Sequence, residues 1–405
     1  MNMSNQTTKR NMGRFVIIAV IIVAVIAGGL GYTMLNPSGT RSGSGTSMMA
    51  TSANPAQMTS AKQPAIAVSL LGAGATFPAP LIQRWTVEYN KLNPSVTINY
   101  NAIGSGGGIQ QITQKTVDFG ASDAPLTDSQ FAAASGLVLF PETLGGVAVT
   151  YNLQSLGISN STTLRFTGQV IVGIYTGSIT KWNDPAVQAL NPGVQLPSNQ
   201  ITVVHRSDGS GTTYAFTDFL SRVSPTWANA VGYSTSVTWP VDKSGTGVGA
   251  SGNAGVAGTV ANTPGAIGYV DVIYAISNHL GVGSVQNVAG NFVIPTLQTI
   301  LWAAGNATGT PNPTDLRLHI VNAQGPQSYP IATYTYMLVY KDMSLNPGIN
   351  QDKAKALAKF LWWAVHGGQQ YAPALIYVPL PQNVVAADEQ LLMSLNYQGQ
   401  QLLSQ

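Results

Sequence analysis

Apolar and polar positions along this chain fall into two regimes. From Phe15 to Leu35 the residues are uncharged and largely apolar, without periodicity. From about Ile66 onward, apolar residues recur either at every second position or at helical spacing. Between the two, Asn36 to about Pro64 is rich in Ser, Thr, Gly, Ala and Met and reads as a flexible tether. Ile66–Leu71 predicts a short strand. Pro78 and Pro80 suit the first turn of a helix; Leu81, Trp85 and Tyr89 then share one face, and Asn93-Pro94 ends it. Val96, Ile98 and Tyr100 alternate as a strand. After the Gly104–Gly108 loop a helix carries Ile109 and Ile112, and Val117–Ala121 is a further strand that ends in Ser122-Asp123-Ala124-Pro125. Gln200–His205 predicts a strand leading into a loop at Arg206, followed by a helix with Phe216, Phe219 and Leu220. Late in the chain come a strand at Tyr334–Tyr340 and a helix from about Asp352 to Ala364, with Leu357, Phe360 and Leu361 turned inward.

Strand, loop and helix in repetition predict an α/β sheet with parallel strands. In such sheets ligands sit beyond the carboxyl ends of strands. The loops after Leu71, Tyr100 and His205, together with Asp123, all fall at such ends and can converge.

Charge and composition narrow the picture. Only 8% of the 405 residues are charged, while 44% are hydrophobic. The net charge of +3 is local: Lys9, Arg10 and Arg14 precede the apolar run, and without them fifteen basic residues face fifteen acidic ones. A neutral remainder argues against nucleic acid as a partner, since that needs a basic footprint. The 21-residue run Phe15–Leu35 is long enough to span a bilayer, and basic residues lie only on its N-terminal side. Residues 1–14 are therefore expected in the cytoplasm, 15–36 as an uncleaved anchor, 37–64 as the linker and the rest outside the cell. A cleaved signal peptide is the alternative, with Phe15–Ala27 as its apolar core and Gly28-Gly29 before the cut. Asn160 and Asn306 stand in sequons for external glycosylation. There is no cysteine, so disulfides and thiolate chemistry are excluded. The scarcity of charge also predicts a fold that acid does little to unfold.

Three glycine- and hydroxyl-rich segments open predicted helices: Gly72-Ala73-Gly74-Ala75-Thr76-Phe77, Gly104-Ser105-Gly106-Gly107-Gly108 and Arg206-Ser207-Asp208-Gly209-Ser210-Gly211-Thr212-Thr213. Helix N-termini leave N–H groups unpaired and carry partial positive charge, and glycine lets an anion approach them. Any one such segment is ordinarily just a turn, and an isolated arginine is ordinarily a surface charge. Three together predict a site that wraps a small oxyanion. Thr76, Ser105, Ser210 and Thr212 would supply hydroxyls, Phe77, Gly211 and Thr212 backbone N–H groups, and Arg206 a permanent charge. Asp208 is expected to pair with Arg206 and orient it. Asp123 would repel an anion unless that anion carries a proton to donate. Phosphate does so at ordinary pH and sulfate does not, so Asp123 favours the former. Five of the seven tryptophans, Trp182, Trp239, Trp302, Trp362 and Trp363, read as core or interface. Neither a Walker loop nor a Gly-x-Ser-x-Gly elbow is present, and the four histidines lack metal spacing. No cofactor and no enzymatic activity are expected.

The same segments resemble the phosphate-binding receptors that feed phosphate ABC importers. The similar stretches are Gly72–Pro80, Ile103–Gly107, Val117–Leu126, Lys181–Asp184, Leu190–Gly193, Val204–Thr212, Pro264–Val270 and Tyr377–Pro381, in consistent order from about Leu70 to Leu395. The resemblance implies a two-domain α/β fold of the type II periplasmic-binding-protein kind, with the ligand in the cleft between domains and, here, a transmembrane helix in front. Domain I would comprise residues 68–143 and 332–405, domain II residues 144–331. It implies that Thr76 and Phe77 form the first ligand loop, Ser105 the second, Asp123 the proton acceptor, and Arg206, Ser210, Gly211 and Thr212 the opposite wall. It implies inorganic phosphate as ligand, membrane permease subunits as partners, and a monomer. Gly106 stands where such receptors often have a second serine, and His205 where they are often basic. An anchor and tether fit an organism without an outer compartment, such as an archaeon. Receptors for sulfate, molybdate or tungstate, a secreted phosphoester hydrolase and a structural surface protein are the competing readings.

Overall fold

The computed structural model describes residues 66–307 and 311–404. The expected cytoplasmic start, anchor and linker lie outside the described residues. Among the described residues no helix is long and apolar enough to cross a membrane.

The first strand, β1 (Val68–Gly74), begins two residues later than its apolar run because Ile66 is exposed. It continues through Gly74 because that end pairs on both sides, with Ala102 of β2 (Val96–Ala102) and Ala121 of β3 (Phe119–Ser122). Helix α1 (Ala79–Leu92) has Pro80 in its first turn, buries Leu81, Trp85 and Tyr89, and stops at Asn93, as the spacing predicts. Helix α2 (Ser105–Thr113) differs from expectation: the glycines are its first turns rather than a loop before it. A Cβ at Gly108 would stand 2.5 Å from Gly74 Cα, so the absence of a side chain lets the helix lie directly on β1.

The main sheet is mixed, not parallel throughout as the strand–loop–helix pattern predicts. Eight of its nine strands are β1 to β3, then β4 (Leu137–Tyr151), β5 (Thr202–Arg206), β6 (Gly247–Ala250), β7 (Ala266–Asp271) and β8 (Ala332–Tyr340), in the spatial order β2-β1-β3-β8-β4-β7-β5-β6, and the short strand Gly281–Val282 pairs with the end of β4. β1 to β3 are mutually parallel, and so are β5 to β7. β8 is antiparallel to both β3 and β4, and β4 is antiparallel to β7. The sheet thus has two parallel flanks joined through two long central strands. β4 has no counterpart among the expected elements. It is buried along nearly its whole length, so its residues do not alternate, and Pro141, Gly145 and Gly146 disguise it as a loop.

Pro141 has a local cause and a local effect. In the β4–β8 ladder Thr335 pairs with Thr143 and Tyr336 with Pro141, so Glu142 is an extra residue in a bulge. Such bulges are among the few places where a sheet accommodates a proline. Three more helices matter for the site: α3 (Gly211–Val223), α4 (Gly252–Asn262) and α5 (Gln351–Val365). The buried face of α5 carries Leu357, Phe360 and Leu361, and Phe360 packs on the rings of Phe119 and Tyr89 at 6.0 and 5.3 Å. Trp85 donates its indole N–H to the Gly368 carbonyl at 2.7 Å, tying α1 to the chain beyond α5.

Candidate functional site

The carboxyl ends of β1, β3 and β5 and the N-termini of α2, α3 and α4 meet at one place. The turns themselves touch: the Gly106 N–H donates to the Gly209 carbonyl at 2.9 Å. A Cβ at Gly211 would stand 2.4 Å from Cβ of Asp123, so only glycine allows α3 to start against the β3 loop.

All eight residues singled out from the sequence lie in this region. Asp123 is buried, and its backbone N–H donates to Ser105 Oγ at 3.2 Å. The same Ser105 Oγ accepts from the Gly211 N–H at 2.9 Å, so it ties the β3 loop to α3. Thr212 Oγ1 donates to Asp123 Oδ2 and accepts from Arg206 Nη1, both at 3.5 Å. Ser210 caps α3, its Oγ accepting from the Thr213 N–H at 3.1 Å. Arg206, at the end of β5, has a fully buried side chain and is gripped by Asp208 through two of its donors, Nε at 2.7 Å and Nη2. Asp208 in turn accepts from the Gly252 N–H at 3.0 Å. This is the orienting pair expected from the sequence. Thr76 Oγ1 accepts from the backbone and side-chain nitrogens of Asn253 at 3.1 and 2.9 Å. The Phe77 carbonyl accepts from Tyr377 at 2.6 Å.

Residues that the sequence does not single out complete the site. Asn253, in the first turn of α4, also donates to Thr212 Oγ1 at 3.1 Å, so it bridges the first and third segments. Tyr274 donates to the Thr76 carbonyl at 2.6 Å. Thr335 of β8 lies 3.0 Å from Asp123 Oδ1 and 3.1 Å from Glu142 Oε1. None carries a local motif. Only Glu142 leaves a trace: it is the one charged residue between Asp128 and Arg165, inside an apolar stretch. His205 faces away from this network. Its ring stacks on Trp239 at 5.0 Å and links Asp242 Oδ1 (2.8 Å) to the Arg206 carbonyl (3.1 Å), which braces the end of β5.

Burial dominates the electrostatics. It pushes the Asp123 carboxyl up to about 7, against the pull of Thr335, Arg206 and Thr212. It pushes Glu142 up to about 8, and Asp271, at the end of β7, well above the usual carboxylate range. Asp208 goes the other way, because the hydrogen bond and charge of Arg206 outweigh its burial. Such a site offers hydroxyl and N–H donors and one guanidinium to a small anion, and one carboxylate that can accept a hydrogen bond from a proton the anion carries.

The model of the PBP superfamily domain matches residues 42–365. The chain is 41% identical over 353 residues to a protein of Xylella fastidiosa named phosphate-binding protein PstS, covering 87% of this chain and 92% of that one. To the protein of the same name from Methanocaldococcus jannaschii it is 38% identical, over 77% of this chain and 82% of that one. Among solved structures, a high-affinity periplasmic phosphate-binding protein with bound phosphate, PfluDING, overlays with a TM-score of 0.61 at 22% identity, covering 80% and 93% of the two chains. A human phosphate-binding apolipoprotein overlays with a TM-score of 0.62 at 20% identity, covering 79% and 93%. These likenesses concern the fold.

Proposed function

The chain belongs to the phosphate-binding proteins of the PBP superfamily, and from that premise we propose that it captures inorganic phosphate outside the cell and delivers it to an ABC-type importer. Binding and release, without a bond made or broken, would be its whole action. In this reading residues 68–143 and 332–405 form one lobe, residues 144–331 the other, and phosphate sits between them. The donors are Thr76, Phe77, Ser105, Arg206, Ser210, Gly211 and Thr212. Asp123 accepts a hydrogen bond from the proton the ligand carries. The lobes close by a hinge motion through the chain segments that join them, and closure exchanges the ligand's water for fixed donors. The apolar run of residues 15–36 holds the receptor at the membrane, where the permease subunits are its partners, and the receptor acts as a monomer.

The observation that carries the reading is Asp123. A single buried carboxylate among donors selects a protonated tetrahedral anion over one that is fully ionised. Titration calorimetry of the protein with phosphate, arsenate and sulfate tests this. Phosphate and arsenate should bind and sulfate should not. Preference for sulfate, molybdate or tungstate would replace this reading with a receptor for another oxyanion.

A further inference from the structure

We propose that Glu142, in the β4 bulge, is a positioning residue for the ligand proton: it holds a proton of its own and donates it through the Thr335 hydroxyl, which keeps Asp123 an acceptor. This rests on the reading of the site as a phosphate site.

The geometry is a matter of counting protons. Thr335 Oγ1 lies 3.0 Å from Asp123 Oδ1 and 3.1 Å from Glu142 Oε1. A hydroxyl has one proton and can donate to one carboxylate only. The other contact is a hydrogen bond only if a carboxyl supplies the proton. Two ionised, buried carboxylates facing one hydroxyl would leave an acceptor against an acceptor.

The surroundings decide which carboxyl holds the proton. Asp123 is near Arg206 and Thr212, and both favour its charged form. Glu142 has neither. Thr335 is its only side-chain partner, its Oε2 has none, and its carboxyl is fully buried. Among the described residues, the other titratable groups that act on this pocket are Tyr100, Tyr274, Tyr377 and Asp271, and none is a cation. Among the described residues Arg206 is the only cation that acts on it, and Asp208 already offsets that charge. The proton therefore belongs on Glu142, and the order is Glu142 to Thr335 to Asp123. Asp123 Oδ1 is then occupied by a donated hydrogen bond, and Oδ2 faces Thr212 and the ligand side. The bulge has a part in this. It adds one residue to β4 opposite the Thr335–Tyr336 step of β8, at the position whose side chain reaches Thr335.

When Glu142 ionises, Thr335 is contested and a second negative charge stands beside the anion, so phosphate affinity falls. Glu142→Gln tests this, because its amide N–H₂ donates to Thr335 at every pH. Phosphate affinity of the full-length chain is measured by calorimetry from about pH 6 to about pH 9, a span that covers buried carboxyls raised by several units. Titration of phosphate itself is common to both proteins and cancels in their ratio. The wild type should lose affinity relative to Glu142→Gln by about tenfold for each pH unit above the range where Glu142 titrates. A ratio that stays constant with pH overturns the relay. Should Glu142→Gln not fold, Thr335→Ser and Thr335→Val provide the comparison. The serine keeps the hydroxyl and should retain the wild-type profile; the valine removes the relay and should bind more weakly, with a shallower alkaline decline that reflects only the charge on Glu142. Identical profiles for the two overturn the proposal. A wild type that binds no phosphate at any pH refutes the phosphate reading itself, and the relay with it.

Discussion

A carboxylate in the middle of an anion site discriminates by what the anion brings with it. Asp123 already has one oxygen hydrogen-bonded to Thr335, so in the proposed reading it selects through the other. Asp123→Asn preserves the shape and turns that oxygen into a donor, while its amide oxygen can still accept from Thr335. The expected outcome is a rise of at least about tenfold in sulfate binding relative to phosphate, since about 1.4 kcal/mol of relieved acceptor–acceptor conflict gives that factor. Competition of the two anions at one pH measures it, and an unchanged ratio would show that Asp123 does not read the ligand proton. Asp123 and Arg206 are legible in the sequence because their neighbours along the chain announce them: a strand end, a helix start, glycines and hydroxyls within a few residues. Asn253, Thr335 and Glu142 are not, because their roles come from partners far away in sequence. Thr335 reaches back to Asp123, and Asn253 to Thr76. A buried threonine in an apolar strand looks the same whether it fills space or bridges two carboxyls.

At the level of elements, periodicity located α1, α5, β1 and β2, which have one face in the core and one outside it, while β3, buried throughout, was marked by its stop at Ser122-Asp123-Ala124-Pro125. It failed at β4, where both faces are buried and no alternation remains. It also misplaced the glycines of α2, which read as a loop because glycine weakens a helix unless close packing compensates. Close packing is also what holds the site's helices together. Gly211→Ala would place a methyl group 2.4 Å from Cβ of Asp123, at the contact between α3 and the β3 loop. That overpacking costs about 1–3 kcal/mol, and it falls on the geometry of the site rather than on the core. Phosphate affinity should drop by about fivefold to a hundredfold, with the melting temperature of the free protein changed far less. Calorimetry and thermal melts of the same sample separate the two. A variant that binds normally would mean the two segments need not approach so closely.

For the whole molecule, the unusual quantity is how few carboxyls there are and how many of them are buried. Burial raises Asp123 to about 7 and Glu142 to about 8, raises Asp218, and raises Asp271 and Asp388 well above the usual range. A carboxyl raised by folding stabilises the native state below its unfolded value, near 4, and that contribution is lost as pH rises through the folded value. Glu88, Asp208, Asp315 and Asp342 are held low and act in the opposite sense, losing their contribution in acid. The larger set predicts a melting temperature that is higher near pH 5 than near pH 9 in the fragment starting at Gln63, in keeping with the acid tolerance expected from the scarcity of charge. A steeper fall from about pH 5 to about pH 3 than from pH 5 to pH 9 would contradict it. The central position of β8 governs something else, the order in which the molecule can be made. β4 ends at Tyr151, yet the strand that must lie between β3 and β4 starts only at Ala332. Until the ribosome has delivered that segment, β3 and β4 each present an unpaired edge, and the nascent chain cannot close its sheet however well its helices have formed. Folding therefore waits until the segment from Ala332 has emerged, and a chain truncated before Ala332 should be caught by proteases or aggregate rather than persist as a half-receptor.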